Sequence, residues 1–203
     1  MLNFLIGLIL FIAGIGALML IPSKQAPAPM PWDVTVMADG NSKVFGMHLG
    51  TTTYRQAQES FHEYGKTAIF TEQGKASSVE AFFNSIHLGG LSAKLVLNLT
   101  VPEQSIKPML SRAAEARLQP SGAHRYQLNN IDNAELINAT ISAITYIPSI
   151  KLNPEMVRHR FGEPDSIEQD TNINGTEIWT YSTIALTIRL NDKEKTILQY
   201  QSH

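Results

Sequence analysis

The residues best suited to chemistry are histidines and carboxylates, and their spacing is the first thing to weigh. His62-Glu63 begins like the H-E-x-x-H zinc helix, but Lys66 stands where the second histidine would be, so two imidazoles do not share one helical face. His48, His87 and His124 fall in predicted loops or strand ends without ligand spacing, and His203 is terminal. A site assembled by the fold from His48, His62 and His87 with Glu59 or Glu63 is the remaining metal or acid-base arrangement. Arg158-His159-Arg160 forms a small basic patch, readable either as a contact for an anionic lipid or acidic partner or as a solvated helix face. No G-x-S-x-G elbow, G-x-G-x-x-G loop or Walker loop occurs, and Ser121-Gly122 sits in a turn signal. The expectation is no catalytic residue, no metal and no cofactor.

Composition narrows the class further. The chain of 203 residues is 43% apolar and 17% charged, a globular balance. Its formal charge of -2 and pI near 6.3 give no electrostatic footprint for nucleic acid. The absence of cysteine excludes a disulfide framework, thiolate chemistry and a lipidated N-terminal cysteine. Residues 1–22 carry no charged side chain and one polar one, Asn3, so they are long enough to cross a bilayer as a helix. No basic residue precedes this core and Pro29 disfavours cleavage after Ala26-Pro27-Ala28, which predicts an uncleaved anchor. Charges flanking the span do not set its orientation. Prolines 22, 27, 29 and 31 make residues 23–33 a semi-rigid spacer. Trp32 is then either an interfacial anchor or the first core residue, the core being preferred. Residues 34–203 form the soluble domain.

Within it, "WDVTVMADGNSKVFG" predicts a hairpin turning at Asp39-Gly40. Thr53 and Gln56 have capping-box spacing ahead of a helix whose Tyr54, Ala57 and Phe61 share a face. "LSAKLVLNLTV" alternates Leu91, Ala93, Leu95, Leu97, Leu99 and Val101 with mostly polar residues, a long antiparallel strand over a core. "SIKPMLSRAAEARL" predicts a helix that Pro108 confines to a start near Ser105 and that carries Met109, Ala113 and Ala116 on one side. Asp132 and Glu135 have capping-box spacing. At the C-terminal end, Asn153 is an N-cap, Pro154 suits the first helical position and Gly162 a left-handed stop, followed by the strands "DSIE", "EIWTYS", "ALTIRL" and "TILQY". Helices followed by antiparallel meanders predict an α+β fold, short helices packed on one face of the sheet and one transmembrane helix in front.

Two stretches look alike: "AQESF…EAFFNSIHLGGLSAKLVL" and "VRHRF…EIWTYSTIALTIRL" each pass from a helix ending in Phe through an aromatic strand to an alternating one. Residues 34–101 and 148–203 are therefore candidate half-modules, by duplication or by chance recurrence of a helix-meander unit.

The C-terminal segment from Leu152 to Tyr200 resembles the SmpA/OmlA, or BamE-like, envelope module. Phe161-Gly162-Glu163-Pro164 stands at its L-G-x-P turn, Trp179-Thr180-Tyr181 at its W-x-Y strand, and Lys195 in its lysine-led turn. "VFGMHLGTTTYRQAQESF" is similar to the approach to the same helix. The resemblance implies a periplasm-facing, non-enzymatic protein that binds envelope proteins or lipid, and two such modules would be similar to the tandem arrangement of the β-lactamase inhibitor proteins. This chain departs in lacking the lipid-attachment cysteine and carrying an apolar N-terminus instead, which argues against outer-membrane attachment and a role in β-barrel assembly.

The functional expectation is a membrane-anchored binding or scaffold protein of the bacterial envelope, in the inner membrane through residues 1–22, its domain in the periplasm. Its partners would be envelope or inner-membrane proteins and the bilayer. The candidate interaction surface is Arg158, His159, Arg160, Phe161, Trp179 and Tyr181. One member of the neighbouring pair Phe82-Phe83 should also face outward, and Ile178 and Thr180 oppose Trp179 and Tyr181 across the pleat. The alternatives are a periplasmic enzyme inhibitor inserting "TEQGKAS" or "QDTNINGT" into a cleft, and a hydrolase with a fold-assembled pocket.

Overall fold

The computed structural model describes residues 29–88, 90–113 and 115–203. The expected membrane segment 1–22 and the first part of the spacer, 23–28, lie outside the described residues. Among the described residues no helix is long and apolar enough to cross a membrane.

The chain first forms a small antiparallel sheet of β1 (Thr35–Val36), β2 (Ser42–Val44) and β3 (Met47–His48). The turn at Asp39-Gly40 joins β1 to β2, with Thr35 opposite Lys43. The next turn is less ordinary, because Phe45 and Gly46 both have positive φ, 53° and 79°. A two-residue hairpin asks for that geometry, but a side chain in the left-handed region costs about 1–2 kcal/mol. Burial holds Phe45 there: it is 2% exposed, with ring centroids of Tyr146 at 5.0 Å and Tyr200 at 6.4 Å.

The remaining strands make one ten-stranded antiparallel sheet. They are β4 (Lys66–Thr71), β5 (Ser78–Leu88), β6 (Leu91–Leu99), β7 (Glu115–Leu118), β8 (His124–Gln127), β9 (Ile141–Pro148), β10 (Ser166–Gln169), β11 (Thr176–Tyr181), β12 (Leu186–Asn191) and β13 (Ile197–Gln201). Their order is β10-β11-β12-β13-β9-β6-β5-β4-β8-β7. Two meanders, β4 to β6 and β10 to β13, are thus joined through β9.

Register makes the two faces chemically different. On the inner face Trp179, Ile188, Leu198, Tyr146, Leu95 and Phe83 stand opposite one another strand by strand, from β11 across to β5. All six belong to one core cluster. The alternating strand at Leu91–Leu99 contributes Ala93, Leu95, Leu97 and Leu99 to it.

Helices α1 (Tyr54–Phe61), α2 (Glu103–Arg112), α3 (Asn130–Glu135) and α4 (Pro154–Phe161) are all short. Tyr54 and Ala57, Ile106 and Met109, and Val157 bury one stripe of α1, α2 and α4 in that same core. Thr53 and Gln56 form the capping box on α1, and Asn153 caps α4, with Gly162 at φ 82° after it. The fold class differs from the α+β expectation: among the described residues strand takes 42% and helix 22%, mostly as antiparallel sheet. One reason is α2, which begins at Glu103 and leaves helical geometry at Ala113, so that Ala116 lies on β7 opposite Tyr126. Pro108 sits well inside that helix, where its missing N–H withholds the i+4 donor from the carbonyl of Gln104, an exposed residue. On α3 the cap is Asn129, accepting from the Ile131 and Asp132 amides, while buried Asp132 instead pairs with Arg112.

The two units alike in sequence share a local arrangement. Phe61 at the end of α1 meets Phe83 of β5 at 5.6 Å, and Phe161 at the end of α4 meets Tyr181 of β11 at 5.8 Å. In each, a tyrosine hydroxyl donates to the carbonyl of a glycine after the helix, Tyr54 to Gly65 and Tyr181 to Gly162, both at 3.0 Å. A Cβ on Gly65 would lie 2.9 Å from the Phe83 ring, so only glycine admits that contact.

Candidate functional site

The six residues expected to form one surface are divided between core and solvent. Trp179 is 1% exposed and Tyr181 6%, because both occupy inner-face positions of β11. The Trp179 ring is closed off by the Arg158 guanidinium 4.4 Å from its centroid, and its Nε1 donates to Glu177 Oε2 at 2.9 Å. Burial pushes the Tyr181 phenol up from its ordinary pKa. Phe161 is half-buried against the core. The aromatic pair therefore offers no contact surface, and Arg158, engaged with Glu163 at 3.0 Å, caps it. Exposed His159 and Arg160 remain available.

Arg160 leads to a residue that the expected set lacked. Its guanidinium lies 4.3 Å from the centroid of Trp32, which is half-buried on the surface rather than in the core. Trp32, Ile150, Leu152, Glu155, Met156, His159 and Arg160 line a shallow groove of about 300 Å³. Ile150 is 46% and Met156 49% exposed, and both line this one groove. No periodicity marks them in the sequence, since Ile150 lies in an irregular link and Met156 on the solvent side of α4.

A second depression lies on the outer face of the sheet. There the row running Ser166, Thr180, Thr187, Gln199, Thr145 is polar across five strands, then turns apolar at Val96 and Phe82 before ending on Lys66. Phe82, Phe70 and Ala68 form the floor of a groove of about 380 Å³, rimmed by Lys66, Glu80, Gln119 and Arg125. Phe82 is the outward member of the Phe82-Phe83 pair. Alternation along "KTAIFT" could have added Lys66, Ala68 and Phe70 to that face; Arg125 arrives only through pairing of β8 with β4. Desolvation raises the Glu80 carboxyl above its usual value, against a 3.0 Å hydrogen bond from Ser78.

The histidines do not converge. His62 ends α1 in a left-handed conformation, His87 is exposed on β5, and His48 bonds through Nε2 to both Asp39 carboxylate oxygens at 3.0 Å. Among the described residues no group of three or more His, Cys, Asp or Glu side chains is placed to hold a metal. The side-chain bond from Asn41, then that from His48, lowers the Asp39 pKa to about 2, which makes it a poor proton acceptor at neutral pH and a good clasp for the β1–β2 turn. Because the folded value lies below the ordinary 3.8, its stabilising contribution is complete above about pH 4 and disappears as pH falls through about 2. Asp39→Asn is accordingly expected to lower Tm modestly at neutral pH, with the gap to wild type closing on acidification toward pH 2 in a thermal-melt series.

No family model matches the sequence, and no curated protein and no solved structure matches it either.

Proposed function

We propose that the chain is a non-enzymatic binding protein of the bacterial cell envelope, held at the inner membrane by residues 1–22, whose domain engages another envelope or inner-membrane protein in the periplasm. The observation that carries this reading is the change along the outer face from a polar row to the aromatic floor of Phe70 and Phe82. A sheet face that only meets water has no need of that floor, and no helix covers it among the described residues. The rim chemistry fits a segment of mixed charge: Lys66 and Arg125 for an anionic side chain, and the partly desolvated Glu80 for a cationic one laid over the rings. The resemblance of the segment from Leu152 to Tyr200 to the BamE-like module, whose members bind rather than catalyse, supports the same reading.

Site-specific photocrosslinking tests it. A photoreactive side chain at position 82 of the full chain is expected to capture a discrete partner. Phe70→Ser with Arg125→Gln, which puts no like charges opposite one another on β4 and β8, should abolish capture while the folded far-UV spectrum is kept, whereas Met156→Asp on the other groove should leave it intact. Capture unaffected by the first pair of changes, or no capture at all, rejects this face as the binding site.

A further inference from the structure

We infer that the groove beside α4 is a lipid-contact surface, where Trp32, Ile150 and Met156 enter the headgroup region of the bilayer and Arg160 engages lipid phosphate. The inference rests on the reading that residues 1–22 hold the chain at a membrane, and it adds the pose of the domain.

The first argument is where the chain arrives. Only nine residues, 23–31, separate the apolar segment from Trp32, a span of roughly 30 Å at full extension and less if it slants. The end of that tether is fixed to the domain. The Met30 amide donates to Asp33 Oδ2 at 2.8 Å, the Asp33 amide to the Met30 carbonyl at 3.0 Å, and the buried Tyr200 hydroxyl to the Pro31 carbonyl. Trp32 therefore cannot swing away from the groove wall, and the groove is the part of the domain that a short tether holds nearest the membrane.

The second argument is composition. A tryptophan flanked by two apolar side chains about half exposed, with a guanidinium on its ring, is the amphipathic mixture that settles at a membrane interface. Among the lining residues Glu155 is the carboxylate, set against the Arg160 guanidinium. In water the exposed Ile150 and Met156 gain nothing; in the headgroup region their apolar surface is removed from water.

The test uses the full chain reconstituted into phosphatidylethanolamine and phosphatidylglycerol vesicles, some of whose acyl chains are brominated close to the headgroup. Flotation is measured first, and a chain that does not float with the vesicles overturns the membrane reading itself and this inference with it. For a chain that floats, the Trp32 signal is the difference between wild type and Trp32→Phe, Trp179 being sealed in the core. Quenching by brominated lipid of roughly half or more of that signal is expected for a ring at the interface. Ile150→Asp with Met156→Asp should abolish the quenching while flotation and Tm stay unchanged. Flotation with an unquenched Trp32 overturns the inference and leaves the anchor standing. So does quenching that survives both substitutions, and so does an unquenched Trp32 whose groove crosslinks to a membrane protein, which would make the face a protein interface. Where the double substitution lowers Tm, Ile150→Ser with Met156→Ser takes its place, and quenching that survives that pair overturns the inference in the same way.

Discussion

Replacing Trp179 by alanine is expected to cost about 3–5 kcal/mol of folding stability, read as a fall in the urea midpoint at unchanged slope. The magnitude follows from its place in the transverse inner-face row, where it stands opposite Ile188 of β12 and Ile167 of β10 and is 1% exposed. Removing the indole leaves a cavity beneath Arg158, strips that guanidinium of its ring partner and leaves Glu177 without its Nε1–H donor. Burial of this kind also says how the protein will fail. Trp179→Ala should reduce partner capture only in proportion to the unfolded fraction, and the folded remainder should bind normally. A variant with wild-type stability and lost capture would return Trp179 to the interaction surface. Arg160→Ala should behave in the opposite way, with little change in the urea midpoint and a disturbed Trp32 environment, because Arg160 covers a surface ring.

The second large effect is expected at Phe45. Phe45→Ala should also cost about 3–5 kcal/mol, since its ring is the wedge between the small sheet and the Tyr146 and Tyr200 rings of the large one. Here the backbone adds a diagnostic. Alanine retains the penalty of the left-handed conformation at φ 53°, whereas glycine releases it, so Phe45→Gly should be the more stable of the two variants by about 1 kcal/mol despite losing one more carbon. That order reverses the usual ranking of alanine above glycine. Equal midpoints, or alanine ahead, would mean that the turn relaxes once the ring is gone. The same wedge positions Tyr200, whose hydroxyl ties down Pro31, so both variants should also loosen the tether and diminish lipid quenching of Trp32.

Local chemistry makes several elements legible in the amino-acid sequence. Thr53 with Gln56 and Asn153 with Pro154 mark helix starts because their side chains satisfy amides within the same turn. Asp39-Gly40 marks a hairpin for an equally local reason. The alternation from Leu91 to Leu99 identifies a one-sided strand, since the pleat alone sends its leucines to one face. The sequence also excludes thiol chemistry by the absence of cysteine, and it distinguishes Phe82 from Phe83 as facing opposite ways.

What it does not determine are quantities set by distant neighbours. Trp179 and Tyr181 lie two residues apart and so share a face, but whether that face is core or solvent depends on α4 and on β12, which pack there only after the sheet assembles. "AAEARL" continues a helical pattern as readily as it begins a strand, and pairing of Ala116 with Tyr126 across a reversed chain decides for the strand. Asp132 reads as part of a cap until Arg112, twenty residues earlier, reaches it. Both grooves belong to this second kind: Trp32 meets Arg160, and Phe70 stands opposite Arg125, through pairings between segments far apart along the chain. Helix caps, turns and alternation are set by the sequence itself because each is satisfied within a few residues. The surfaces on which function is proposed are decided only by tertiary structure, because register and packing choose which side chains are left facing outward.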